Sequence, residues 1–411
     1  MNTATALQVL QKYWGYEQFR PTQGEVIESV LAGQDTLALL PTGGGKSICF
    51  QVPALVQEGL CIVVSPLIAL MKDQVQNLQK RGIPAAAIYS GMHRKDIDRI
   101  LDNAVYGGLK LLYLSPERLG TELAIERIKK MKVNLLAIDE AHCISQWGYD
   151  FRPAYLQIVA IRAHLPQTPV LAVTATATQR VVIDIQEQLD FREGQFFQQS
   201  FLRSNLAYVV LNEERKLEKL LDILTKVKGS GVVYVRSRKK TLEIAQFLQR
   251  KNISATHYHA GLGTPLRSTK QDAWINDQVR IMVATNAFGM GIDKADVRIV
   301  VHLDLPNSLE AYFQEAGRAG RDGKKSFAVL LTNAGDARYL EKNFELTFPA
   351  LEEVRRVYQA LSSYFQLAIG SGLGESFDFD LQDFATIYQL EALKTYNCLK
   401  ILEQAGVLVL T

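Results

Sequence analysis

The chain is poor in the residues that staple or clip a fold. It has four cysteines in 411 residues, Cys49, Cys61, Cys143 and Cys398, and none forms a C-x-x-C pair. That scatter excludes a disulfide scaffold and fits reduced, buried thiols. It also leaves no segment with enough cysteines for a structural zinc site. No uninterrupted apolar run reaches the ~18 residues of a membrane span. The opening Met1-Asn2-Thr3-Ala4 has neither a basic nor an apolar leader, so a cytoplasmic protein with no membrane attachment is expected. Net charge is scarce as well, with 46 Lys and Arg against 43 Asp and Glu. The near balance hides a gradient: residues 340–411 hold five basic against ten acidic side chains, which leaves +8 on the first 339. A polyanion should meet that earlier part.

What is present is apolar content of 47% in a chain too long for one core, which predicts two or three domains. From Thr36 to Leu189, short apolar runs alternate with helix-length amphipathic segments. The runs are Thr36–Leu40, Cys61–Ser65, Leu111–Ser115, Leu135–Asp139 and Val170–Thr174. A second series follows Arg215: Gly231–Val235, Ala255–Tyr258, Arg280–Ala284, Ile299–Leu303 and Phe327–Leu331. Each series reads as a parallel α/β sheet whose ligands belong at the strand ends. After Asp336 the alternation stops. Leu351–Leu367, Leu381–Tyr388 and Leu390–Ala405 have helical spacing, and Val407–Leu410 closes on a strand-like run. The predicted partition is 1–204, 205–339 and 340–411, the last a small helical domain compatible with a winged-helix-like arrangement.

Between the first run and the following helix stands Pro41-Thr42-Gly43-Gly44-Gly45-Lys46-Ser47. Strand, glycine loop and helix start together cradle a triphosphate. The loop's N–H groups converge on phosphate oxygens, Lys46 adds a cation and Ser47 a hydroxyl for Mg²⁺. Leu40 takes the place of the first glycine of the usual pattern. The fourth run ends in Asp139-Glu140-Ala141-His142, where Asp139 can hold Mg²⁺ and Glu140 can polarise water. Together these predict an NTPase.

The box Asp139-Glu140-Ala141-His142 resembles that of superfamily-2 helicases. Cys143 to Pro153, with Trp147, Tyr149, Phe151 and Arg152, resembles the aromatic-rich loop of RecQ helicases. Tyr13 to Gln23 is similar to that family's adenine-reading motif, with Phe19, Arg20 and Gln23 as the adenine contacts. The resemblance runs in order over residues ~10 to 335. It implies two tandem RecA-like domains in an ATP-dependent DNA helicase moving 3′ to 5′, acting as a monomer on single-stranded, forked or branched DNA in recombination and repair.

By the same resemblance, His142 couples the ATP site to Gln314 of the second domain. Arg321 is the arginine finger and Arg318 its neighbour, the two expected on one helix turn. Asp293, in the segment Thr285 to Asp293, touches nucleotide. DNA contacts fall to Ser65, Lys72, Arg118, Trp147, Phe151, Arg152, Arg236, Ser237, Thr285 and Asn286. Several of these positions have plainer readings. Ser65 and Ser115 also fit ordinary helix caps, Thr174 and Thr176 local backbone caps, and Trp147 and Phe151 an apolar plug between domains. RecQ enzymes commonly follow the second motor domain with a four-cysteine zinc module. Residues 340–374 contain no cysteine, so no zinc is expected. An RNA helicase of the DEAD-box kind and a weakly catalytic nucleic-acid scaffold are the competing readings.

Overall fold

The computed structural model describes residues 3–148, 150–288, 294–368 and 371–410, and divides after Leu331 into two compact units. The first unit holds two sheets. Sheet one consists of β1 (Thr36–Leu39), β2 (Leu60–Val64), β3 (Ala85–Ile88), β4 (Leu111–Leu114), β5 (Val133–Ile138), β6 (Val170–Thr174) and β7 (Gln195–Gln198). Their spatial order is β3-β4-β2-β5-β6-β1-β7, with every pair parallel. Sheet two consists of β8 (Leu206–Asn212), β9 (Ser230–Tyr234), β10 (Ala255–Tyr258), β11 (Ile281–Ala284), β12 (Val297–His302) and β13 (Ser326–Thr332), ordered β10-β11-β9-β12-β13-β8.

The central strands are mostly apolar because helices cover both faces. Every residue of β1, β2, β4, β6, β9 and β11 is buried. Side chains alternate across the pleat of sheet one. Leu37, Ile62, Leu112 and Leu136 enter one core, and Ala38, Val63, Tyr113 and Ala137 the other. The expected runs are all strands here. Three further strands, β3, β7 and β8, carry weaker signals. β3 is Ala-rich, while β7 and β8 are edge strands whose residues alternate between covered and exposed.

The neighbours β5, β6 and β1 bring the acidic box, Thr174 and the glycine loop to one edge of sheet one. Backbone bonds fix the register: Leu40 N–H donates to Thr174 O at 3.0 Å, and Asp139 N–H to Val64 O at 2.8 Å. Among the described residues no helix is long and apolar enough to cross a membrane.

The second unit is helical, with Ala334–Thr347, Leu351–Tyr364, Leu381–Ile387 and Ala392–Gln404. The boundary expected at 339/340 falls inside the first of these helices. That helix starts earlier because Asn333 caps it, accepting from Gly335 N–H at 3.0 Å, while Asp336 accepts from Asn333 N–H at 2.7 Å. Val354, Val357, Ala360, Phe384, Cys398, Leu399 and Leu402 make the core. Leu351 and Tyr358, apolar positions at helical spacing in Leu351–Leu367, are 58% and 49% exposed, because the buried face of their helix is centred on Val354, Val357 and Ala360. Val407–Leu410 is not a strand. The chain instead folds back on the last helix, Val407 N–H donating to Leu402 O at 2.9 Å and Leu410 N–H to Glu403 Oε1 at 3.0 Å. The wing of a winged helix is therefore missing among the described residues.

Candidate nucleotide and nucleic-acid site

The glycine loop leaves β1 through left-handed backbone at Gly43 (φ 81°) and Gly45 (φ 77°), which only glycine adopts without strain. A Cβ on Gly45 would collide with the Gln23 amide, and one on Gly43 would stand 3.3 Å from Arg321 Cγ. The loop is thus gripped from two sides. Gln23 Nε2 donates to the carbonyls of Gly44 and Gly45, both at 3.1 Å, and its Oε1 accepts from Arg20 N–H at 2.9 Å. Arg20 Nη1 donates to Gly43 O. Two of the three side chains expected at adenine are therefore bonded to the phosphate loop, and the third, Phe19, packs against the cluster of Ala6, Leu10, Ile27, Ile48 and Val52. Ser47 precedes the helix Ile48–Val56 without capping it, so its hydroxyl is available to a ligand.

Lys46 Nζ lies 3.3 Å from Glu140 Oε1. Glu140 is buried and sits in left-handed backbone (φ 49°, ψ 49°), an unusual conformation for a side-chain-bearing residue that turns the chain sharply after β5. Burial alone would raise its pKa, but Lys46, His142 and Arg318 outweigh that and hold the carboxyl below its ordinary value. Asp139 behaves oppositely: burial, and then the charge of Glu140 beside it, push its pKa to about 6. Two adjacent acids are thereby split in character, one ionised and one proton-hungry until a cation arrives. The hard oxygen donors Ser47 and Asp139 suit Mg²⁺, and the buried Glu140 Oε2 accepts no hydrogen bond within the fold.

His142 is 1% exposed, and burial lowers its pKa. Its Nδ1 stands 2.8 Å from Thr174 Oγ1 and 3.5 Å from Glu140 Oε2, so β6 is coupled directly to the acidic box. Tyr155, which sequence reasoning passed over, donates from its hydroxyl to Asp139 O at 2.9 Å and braces the same turn. No local motif marks that tyrosine.

From sheet two, Gln314, Arg318 and Arg321 reach the cavity of about 1390 Å³ that also exposes Gln23, Thr42, Lys46, Ser47, Asp139 and Glu140. The arginines are not on a helix as expected. The helix Leu309–Ala316 ends at Gly317, and both arginines lie in the tight turns after it, where Gly320 adopts φ 65°. Those turns, rather than a helical face, aim them at the loop. Tyr234 hydrogen-bonds Arg318 from the end of β9.

The expected DNA contacts divide into exposed and engaged groups. Trp147 is 56% exposed, with the Arg180 guanidinium over its ring at 3.1 Å. Phe151 is half-buried, and Arg152 bonds Asp150 at 2.9 Å and Pro66 O at 3.2 Å. Lys72 is exposed, its ammonium 4.7 Å from the Tyr89 ring. Asn286 is exposed, while Thr285 is buried. Ser237 caps the helix Arg238–Arg250, and Arg236 donates from Nε to Leu305 O at 2.6 Å. Arg118 lines a separate apolar pocket with Met92, Leu101 and Leu123. Ser65 is 1% exposed beside Asp139, and its hydroxyl has no hydrogen-bond partner among the described residues. Asp293, Tyr149 and the stretch 289–292 lie outside the described residues.

Comparison with known proteins accounts for both sheets. The DEAD/DEAH box helicase family model matches residues 20–185, and the helicase conserved C-terminal domain model matches 215–323. The chain is 45% identical over 339 residues to ATP-dependent DNA helicase RecQ of Haemophilus influenzae, covering 82% of this chain and 55% of that protein. It is 41% identical over 359 residues to the probable ATP-dependent DNA helicase RecS of Bacillus subtilis, covering 86% and 72%. The chain spans about half the length of the bacterial RecQ proteins it matches. Among solved structures, Saccharomyces cerevisiae Dbp5 bound to RNA and ADP BeF3 aligns with a TM-score of 0.64 at 20% identity, covering 84% of this chain and 91% of that one. The DUF1998 helicase MrfA bound to DNA aligns with a TM-score of 0.67 at 16% identity, covering 82% and 50%. At such identities the likeness speaks to the fold.

Proposed function

The chain belongs to the RecQ helicase family, and from that premise we propose that it hydrolyses ATP to move 3′ to 5′ along single-stranded DNA and unwind duplex or branched DNA. The observation that carries the proposal is the single cavity into which one sheet sends Lys46, Asp139 and Glu140 and the other sends Gln314, Arg318 and Arg321. Acids and arginines from two separate sheets form a complete phosphoryl-transfer site only together, so the site is built to make hydrolysis depend on how the sheets meet.

Residues Thr42 to Lys46 cradle the triphosphate, with Lys46 exchanging its Glu140 partner for phosphate oxygens. Ser47 and Asp139 would hold Mg²⁺, which supplies charge neutralisation at the phosphates. Glu140, freed from Lys46 and kept ionised, orients the attacking water. Arg321, already against Gly43, supplies positive charge to the transition state, with Arg318 beside it. His142 and Thr174 carry the state of Glu140 to β6 and, with Gln314, toward the second sheet. Phe19, Arg20 and Gln23 report adenine to the loop they grip, and Asp293 completes the nucleotide contacts. Trp147 and Phe151 stack on bases, while Lys72, Arg118, Arg152, Arg236, Ser237, Thr285 and Asn286 track the backbone. The protein works as a monomer in the cytoplasm or nucleoid, and needs no zinc.

The test compares ATP turnover with single-stranded DNA, RNA and no nucleic acid, alongside strand separation on 3′- and 5′-tailed duplexes. Strong DNA stimulation and unwinding from the 3′ tail are expected. Equal or greater stimulation by RNA would move the protein to RNA substrates, and unwinding from the 5′ tail would reverse the polarity.

A further inference from the structure

We propose that Arg180 is a positioning residue for the DNA-responsive loop: its guanidinium covers the face of Trp147 that a nucleobase needs, so base and arginine compete for one ring. The inference rests on the reading of Trp147 as a base-stacking residue. Its ground is geometric. The Trp147 indole is 56% exposed, yet one face is closed by the Arg180 guanidinium carbon 3.1 Å from the ring centroid. Arg180 is itself exposed and pairs with no carboxylate among the described residues, so the ring alone holds it. A guanidinium kept by one exposed cation–π contact is easily displaced into solvent by a nucleobase that takes the same ring face.

What makes the exchange consequential is where both residues are anchored. Arg180 lies in the first turn of the helix Gln179–Gln188, which Thr178 caps by accepting from Val181 N–H at 3.4 Å. Four residues before Thr178 is Thr174, 2.8 Å from His142 Nδ1. On the other side, Trp147 N–H donates to Ser145 Oγ at 3.2 Å, and Ser145 N–H to His142 O at 3.2 Å. Gly148 closes on the same carbonyl so tightly that a Cβ there would strike His142 O. The contacts form a ring from His142 through Thr174, the helix and Arg180 to Trp147, and back through Ser145. Arg180 on the indole closes this ring; Arg180 displaced into solvent by a base opens it. These two arrangements form a two-state element beside Glu140, in which His142 is the shared member.

The test is binding of a labelled oligothymidine, measured by fluorescence anisotropy at about 0.15 M salt, where one exposed charge counts least. Removing the competitor with Arg180→Leu should tighten binding about two- to fivefold, the range of an exposed cation–π contact. The DNA concentration for half-maximal ATPase stimulation should fall in step. Arg180→Lys, which keeps a cation, should lie between. In a Trp147→Leu background, Arg180→Leu should give no tightening. An ordinary phosphate contact predicts the opposite sign, weaker binding with or without the tryptophan, and that result overturns the proposal, as does tightening that persists without Trp147. Because binding is read directly, a wild-type protein whose ATPase ignores DNA would sink the functional reading while leaving the competition at the ring measurable. Melting curves of each variant check that the fold is kept.

Discussion

The two sheets of the first unit are built alike and equipped differently. Both are built on parallel central strands that are largely buried, with polar residues gathered at their ends. Sheet one ends in a phosphate loop and two acids. Sheet two ends in Tyr234, Arg236 and, after its glycine turns, Arg318 and Arg321. Neither set can carry phosphoryl transfer alone: the acids lack a transition-state cation and the arginines lack a nucleophile-orienting base. The comparison teaches that a repeated scaffold can divide one reaction between its copies.

The sharpest way to break this division is from the second sheet. Arg321→Ala should lower kcat of DNA-stimulated ATPase by about 10³–10⁵-fold, with nucleotide affinity changed far less. A loss under tenfold would transfer the role to Arg318. The first sheet should answer next: Glu140→Gln should cost about 10²–10⁴-fold in kcat while ATP stays bound. Lys46→Ala should instead lose ATP binding itself. A glutamine variant that turns over ATP at the wild-type rate would remove Glu140 from the reaction.

Trp147→Ala sharpens the contrast between site and sensor. Stimulation by DNA should collapse and single-strand affinity weaken by about 1–3 kcal/mol per lost stack, with the melting temperature held. A large drop in melting temperature would make the tryptophan an apolar plug. Asp139 gives a smaller effect with a defined sign. Its pKa stands at about 6 against 3.8 for an ordinary aspartate, so the folded state without nucleotide binds the proton more tightly than the unfolded chain. Stability from this group therefore falls as pH rises from about 4 through 6. Asp139→Asn should abolish that fall and stabilise the nucleotide-free protein at pH 7.5 by up to about 3 kcal/mol, read as melting temperature against pH. The smallest expected effect is none. EDTA treatment followed by restored Mg²⁺ should leave melting and unwinding unchanged, and one tightly held zinc per chain in elemental analysis would overturn that.

The same comparison explains which features were legible. Strands covered on both faces announce themselves as apolar runs, so all ten expected runs became strands. The edge strand β10 is legible as well, but β7 and β8 are not, because Gln195–Gln198 and Leu206–Asn212 alternate covered and exposed residues to suit one wet face. The catalytic residue types were readable because the chemistry demands them. Their support was not: Tyr155 and Thr174 act through contacts with residues 16 and 32 positions away. Ser65 shows that a hydroxyl at a strand end carries no mark of its own burial. The helical unit shows the limit of periodicity, since Leu351 and Tyr358 share spacing with Val354 and Val357 but fall on the rim.

The edge strand β7 has a mechanical meaning. It pairs in parallel with β1, from Thr36 opposite Gln195 to Leu39 opposite Gln198, and Gln199 N–H extends the ladder to Leu39 O at 3.0 Å. β1 runs straight into the phosphate loop, and the chain leaving β7 runs straight into the second sheet. A pull from that sheet along the strand axis loads the ladder in shear, so its bonds resist together rather than breaking one after another. The tether between the two sheets is thus fastened to the strand that carries the glycine loop, in the orientation in which hydrogen bonds bear tension best.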